Sequence, residues 1–355
     1  MNEVRMPKRI VICCDGTWDS ADMADVVDGH TPAPTNVTQL ALAVAPVDEA
    51  GTEQRAFYQS GVGTKRQKLL GGAFGVGLSR NVQEAYRFLV RTYEPGDEIF
   101  FLGFSRGAYT ARSTAGLIRN CGLLRREHEH RVKQAYGLYR DRSDKTHPRS
   151  TEMALFRKTY AHEPRIRFIG VWDTVGALGV PLTGFWPFDV FNRRFQFHDT
   201  ALSSTVDAAY QALAIDEHRK PFTPSVWAPP TEGVTRHVEQ VWFAGCHGDV
   251  GGGGRTQHGL ADVTLRWLAD RARSCGLALE PGLATEPDAL GPIHPSRTGF
   301  YRLLPSMTRG IGTTDPKHEY VASSSVTRHK RATDYAPPNL VGYLALDGPV
   351  IQVEV

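Results

Sequence analysis

Cysteine is scarce in this sequence: Cys13, Cys14, Cys121, Cys246 and Cys275 are an odd set with no C-x-x-C pair and no histidine at metal-ligand spacing. That excludes a disulfide scaffold or a zinc framework as the organising principle. Long apolar runs are also missing. No stretch of about eighteen apolar residues occurs, so no membrane-spanning helix is expected. The N-terminus, MNEVRMPKRIVICCDG, passes from charge straight into a short strand without the apolar segment of a secretory signal. The expectation is a soluble chain made in the cytoplasm with reduced thiols, any export proceeding without a signal peptide. There is no long basic block either. Net charge is +3 with Lys and Arg dispersed, which gives nucleic-acid binding no support. The one local cluster, Arg125, Arg126, His128, His130, Arg131 and Lys133, reads as a solvated helix face. Glycine-rich residues 60–80 lack the G-x-x-x-x-G-K-S/T spacing of a phosphate cradle and read as a loop ahead of a helix from Val82 to Thr92.

What is present is the material of a large core: 41% hydrophobic residues against 22% charged over 355 residues. We expect a single α/β domain over 1–355, its core at about 8–275, with 276–355 as loops packed on that core. Short β-branched or aromatic runs, KRIVICC, Arg55 to Gln59, EIFFLGF, RIRFIGVW and VEQVWFAGC, alternate with helical spacing at 35–45, 81–93 and 108–120. A further helix is expected from Ser204 to Ile215, ending at Asp216 and Glu217. This alternation predicts a doubly wound, mostly parallel sheet with helices on both faces, whose sites gather at the carboxyl ends of strands.

Three such ends carry chemistry. Gly103-Phe104-Ser105-Arg106-Gly107 is a G-x-S-x-G pentapeptide between a strand and a helix, the context of a nucleophile elbow. A serine hydroxyl needs a base, and His247, after a strongly apolar strand and among glycines, is the best of thirteen histidines. Asp173 ends a strand between the two, giving the chain order Ser, Asp, His. Asp249 competes as the orienting carboxylate, as a cap of the glycine loop or as a cation ligand. For the developing oxyanion, the Arg106 N–H is one donor and Gly16 or Thr17 offers the second, unless Asp15 and Thr17 merely close that turn. The aromatic stretch holding Trp186, Phe188 and Phe191 reads as a lid over an acyl pocket or as core filling.

CDGTW, TNV, GFSRGAYTAR, GVWDTVGALG, AIDEHR and VWFAGCHGDVGGG together resemble the type VI secretion phospholipase-effector-like catalytic domain family, over roughly residues 8 to 345. The resemblance implies an α/β-hydrolase fold and a Ser105, Asp173, His247 triad without cofactor. It also implies a lipid ester as substrate, with peripheral membrane contact, and an immunity or delivery partner if the chain is an effector. Two other readings compete. One is a metal-dependent hydrolase built on Asp15, His247 and Asp249; the other is a catalytically silent α/β-hydrolase-fold binding protein.

Overall fold

In the computed structural model the described residues are 5–16, 34–61, 71–141, 143–176, 202–229, 237–253, 258–283 and 285–354, with the side chains of 71–76 and 300 left aside. Their centre is one eight-stranded sheet. In chain order its strands are β1 (Arg9–Cys14), β2 (Gln54–Gln59), β3 (Glu98–Phe104), β4 (Ile166–Trp172), β5 (Val206–Ala214), β6 (His237–Phe243), β7 (Glu319–Ala322) and β8 (Val350–Ile351). They lie in the order β8-β7-β6-β5-β4-β3-β1-β2, and every pairing is parallel. The order reverses between β3 and β1, which is where an open parallel sheet opens a crevice.

Both faces of the sheet are covered, so its strands are apolar on both sides rather than alternating. Ile10, Ile12, Ile99 and Phe101 join one core with α2 (Gly71–Thr92) and α3 (Ser105–Cys121). Val11, Cys13, Phe100 and Leu102 join the other with α1 (Asn36–Ala43) and the helix Gly259–Ser274. Successive side chains of one strand thus serve opposite layers. Thr35 caps α1 by accepting from the Thr38 N–H, as the TNV spacing leads one to expect.

Three expectations are corrected. Residues 206–214 form a central strand and not a helix; VDAAYQALA is buried along nearly its whole length, and packing between β4 and β6 overrides the helical preference of its alanines. The helix placed at 82–92 begins at Gly71, so Gly71, Gly72, Gly75 and Gly77 are helical rather than loop. Residues 276–355 hold more than loops: β7 and β8 extend the sheet, and helices Ser323–Arg331 and Pro338–Ala345 flank them. Leu213, Trp242, Val321, Leu340 and Tyr343 form their shared core. Among the described residues no helix is long and apolar enough to cross a membrane.

Candidate active site

Register brings the site together. Phe104 and Trp172 are partners across β3 and β4, so the residues that follow them, Ser105 and Asp173, leave the sheet side by side. Both turn sharply, with φ of 56° at Ser105 and 37° at Asp173. Such left-handed conformations cost on the order of 1–3 kcal/mol each in residues other than glycine, and they concentrate at functional sites. The flanking glycines make the Ser105 turn sterically feasible. A Cβ on Gly107 would lie 2.1 Å from the Cys14 carbonyl oxygen, and one on Gly103 would lie 2.7 Å from Ala108 Cα. The first turn of α3 therefore packs directly on the backbone of β1.

The third group arrives from β6. His247 opens the short helix His247–Gly251, and its ring is held between Phe104 and Phe222, with centroids 4.6 and 5.0 Å away. Gly251 leaves room for Phe104, whose ring would lie 2.0 Å from any Cβ there. In this position Nε2 of His247 is 2.9 Å from Ser105 Oγ, and Nδ1 is 2.5 Å from Asp173 Oδ2. The three expected residues thus form one continuous hydrogen-bonded chain, with Ser105 7% exposed, His247 4% and Asp173 0%.

Asp173 has further partners that sequence reasoning misses. Arg309, itself buried, donates from Nη1 to Oδ1 at 2.6 Å and from Nη2 to Oδ2 at 3.0 Å, and the Ala214 N–H donates to Oδ1 at 3.1 Å. Burial raises the Asp173 carboxyl, but the Arg309 charge and the hydrogen bond and charge of His247 outweigh it, leaving the group far below the usual carboxylate range. Nothing local in the sequence marks Arg309, which lies 136 positions from Asp173.

The other candidates fall elsewhere. Asp15 accepts from Gly16 N at 2.6 Å, Thr35 Oγ1 at 2.7 Å, Thr38 Oγ1 at 2.8 Å and Tyr58 OH at 2.6 Å. The Gly16 N–H expected for an oxyanion therefore points to its neighbour's carboxylate, and the turn-closing reading of Asp15 describes that bond. Arg106 lies in the first turn of α3, where helix N–H groups point outward. Asp249 caps its own helix by accepting from the Cys246 N–H and pairs with His294 Nδ1 at 2.6 Å. Asp15, His247 and Asp249 thus each face different partners, and no metal-binding group of three such residues occurs among the described residues. Thr17, Trp186, Phe188 and Phe191 lie outside the described residues.

Two more residues hold the backbone around His247. Glu217, expected at a helix end, instead follows β5; its Oε2 accepts from the His247 N–H at 3.3 Å while Arg219 pairs with it at 2.8 Å. Asn36, expected only as part of a helix start, ties α1 to this region by donating to the carbonyls of Val250 and Ala261.

Among known proteins, the chain is 30% identical over 246 residues to an uncharacterized protein of Saccharomyces cerevisiae, a match covering 62% of this chain and 33% of that one. The chain spans about a third of the length of that curated relative. It is also similar to the crystal structure of an uncharacterized protein from Pseudomonas aeruginosa, with 16% identity and a TM-score of 0.44 over 78% of this chain and 47% of that one. The model described as T6SS, phospholipase effector Tle1-like, catalytic domain matches residues 8–271. With Ser105, Asp173 and His247 all inside that span, the chain belongs to the Tle1-like phospholipase effector catalytic domain family of the type VI secretion system.

Proposed function

We propose that the protein is a serine hydrolase that cleaves carboxylic esters of acyl lipids through an acyl-enzyme. The observation that carries this reading is the chain Ser105 Oγ, His247 Nε2, His247 Nδ1, Asp173 Oδ2 at 2.9 and 2.5 Å. Ser105 Oγ attacks the ester carbonyl carbon and its proton passes to Nε2 of His247. The carbonyl oxygen becomes an oxyanion, held by the Arg106 N–H at the helix start and by a second donor assigned to Thr17. Collapse of this intermediate expels the alcohol, which takes the proton from Nε2. Water then attacks the acyl-enzyme with His247 again as base, releasing the acid and restoring Ser105. Asp173 stays ionised throughout and stabilises the imidazolium. No metal or organic cofactor enters these steps.

Family membership supports lipid as the substrate class, with peripheral contact at a lipid surface. An immunity or delivery partner is part of the same proposal. The test is a panel of short-chain nitrophenyl esters, glycerolipids and phospholipids assayed on wild type, Ser105→Ala and His247→Ala. Hydrolysis by wild type, lost in both variants and indifferent to chelator, is expected. Activity that survives Ser105→Ala but disappears with chelator favours a metal-dependent reaction instead. A folded wild type that turns over nothing favours a binding protein.

A further inference from the structure

We propose that Arg309, supplied from beyond the family-matched span, is a positioning residue that fixes the orientation of Asp173 and sets the pH range in which His247 can act as base. The inference rests on the reading of Ser105, His247 and Asp173 as a working relay. The guanidinium is fully buried and forms a two-pronged contact with the carboxylate, a planar match that holds both oxygens in place. Its remaining hydrogen bonds are to the carbonyls of Ala214, at 2.9 Å, and Phe222, at 2.5 Å. The first belongs to the strand beside β4, and the second to the residue whose ring rests on His247. One side chain therefore touches the acid, the strand end behind it and the wall of the base.

Its own anchor is equally specific. Asn339 Nδ2 donates to the Arg309 carbonyl at 3.1 Å and to that of Ile215 at 3.4 Å, while Ile311 enters the core shared with Leu213 and Trp242. The residues after 271 thus reach back into the centre of the site.

The electrostatic consequence has a definite sign. A carboxylate alone stabilises the imidazolium beside it, whereas one already paired with a guanidinium does so less. Among the described residues, Glu217 accepts from the His247 N–H and pairs with Arg219, and Asp249, in the same short helix as His247, pairs with His294. Each of these carboxylates has its own basic partner, whereas Asp173 bonds the imidazole ring directly, so the Asp173–Arg309 pair is the one that acts on the ring. Removing the Arg309 charge therefore makes the neutral base harder to obtain, and the acid limb of kcat/KM moves to higher pH.

The experiment compares pH profiles of ester hydrolysis for wild type, Arg309→Met, Arg309→Lys and Asn339→Ala, with Ser105→Ala as the control for the underlying reading. For Arg309→Met we expect the acid limb to rise by about one pH unit, because loss of a nearby like charge favours the imidazolium, with kcat reduced more than KM is changed. Arg309→Lys keeps the charge but loses the fork, so its limb stays near wild type while kcat falls. Should Arg309→Met not fold, Asn339→Ala, which leaves the ion pair intact but unclamps it, still reports through a lowered kcat at unchanged KM. A limb that stays put in Arg309→Met, or unchanged kcat in Asn339→Ala, overturns the proposal while leaving the Ser105 reading intact. Activity that persists in Ser105→Ala overturns the reading itself.

Discussion

Asp15 and Asp173 occupy equivalent places in this topology. Each follows a central parallel strand, each is nearly fully buried, and each lies at the carboxyl edge where sites form. Their surroundings differ in kind. Asp15 is met by one amide and three hydroxyls, all neutral donors belonging to β2, α1 and its own turn. Asp173 is met by a guanidinium and an imidazole brought from two distant parts of the chain. Neutral donors hold a loop in place, whereas an imidazole between a carboxylate and a hydroxyl can move a proton. Position at a strand end, then, does not distinguish a structural carboxylate from a chemical one; its partners do.

That contrast can be broken most sharply by exchanging each carboxylate for an amide. Asp173→Asn should lower kcat about 10³- to 10⁴-fold, the scale seen when a triad loses its orienting acid. It should also cost about 3–5 kcal/mol in chemical denaturation, because Arg309 is left buried without its partner. Asp15→Asn should cost about 1–3 kcal/mol, the scale of a buried hydrogen-bond network left incomplete, with kcat within tenfold of wild type. A reversed pattern in the two kcat values refutes the distinction.

Gly107→Ala addresses the wall between the two regions. Its Cβ would meet the Cys14 carbonyl oxygen at 2.1 Å and the Asp15 carbonyl oxygen at 2.5 Å, so the start of α3 and the end of β1 must separate. The expected outcome is a loss of more than about 3 kcal/mol, on the scale of severe overpacking, together with loss of ester hydrolysis. A thermal melt and an activity assay on the same preparation check it. A variant as stable and active as wild type would mean that the elbow is looser than described.

The smallest effect is in acid stability. Because the Asp173 carboxyl is depressed in the folded protein, its contribution is fully present above the unfolded value of about 3.9. It is lost as pH falls through the lower folded value, where protonation of the native state begins. Wild-type stability should therefore decline more steeply below about pH 4 than that of Asp173→Asn, measured by urea unfolding at a series of pH values. Parallel curves would mean that the Arg309 contact does not depress the carboxyl.

Much of this site is legible in the sequence because its signals are local. Ser105 announces itself through an apolar strand, two glycines and a helix of small residues, and His247 and Asp173 each end an apolar run. Arg309 is illegible for the opposite reason: a lone arginine in a segment rich in Pro, Gly, Ser and Thr acquires meaning only when folding brings it to Asp173. The strand at 206–214 reads as a helix because a central strand covered on both faces loses the alternation that marks a half-exposed one. Gly16 suggests an oxyanion role by its place in the chain, but whether its N–H is already taken depends on the Asp15 rotamer, which sequence does not reveal.

The central claim is that the Ser105 hydroxyl is activated by His247. Labelling with a fluorophosphonate probe, followed by mass mapping of the modified peptide, tests it most directly. The account predicts a single adduct at Ser105 in wild type, absent in Ser105→Ala and formed far more slowly in His247→Ala. Folded wild type that resists the probe, or labelling at an equal rate without His247, would contradict it.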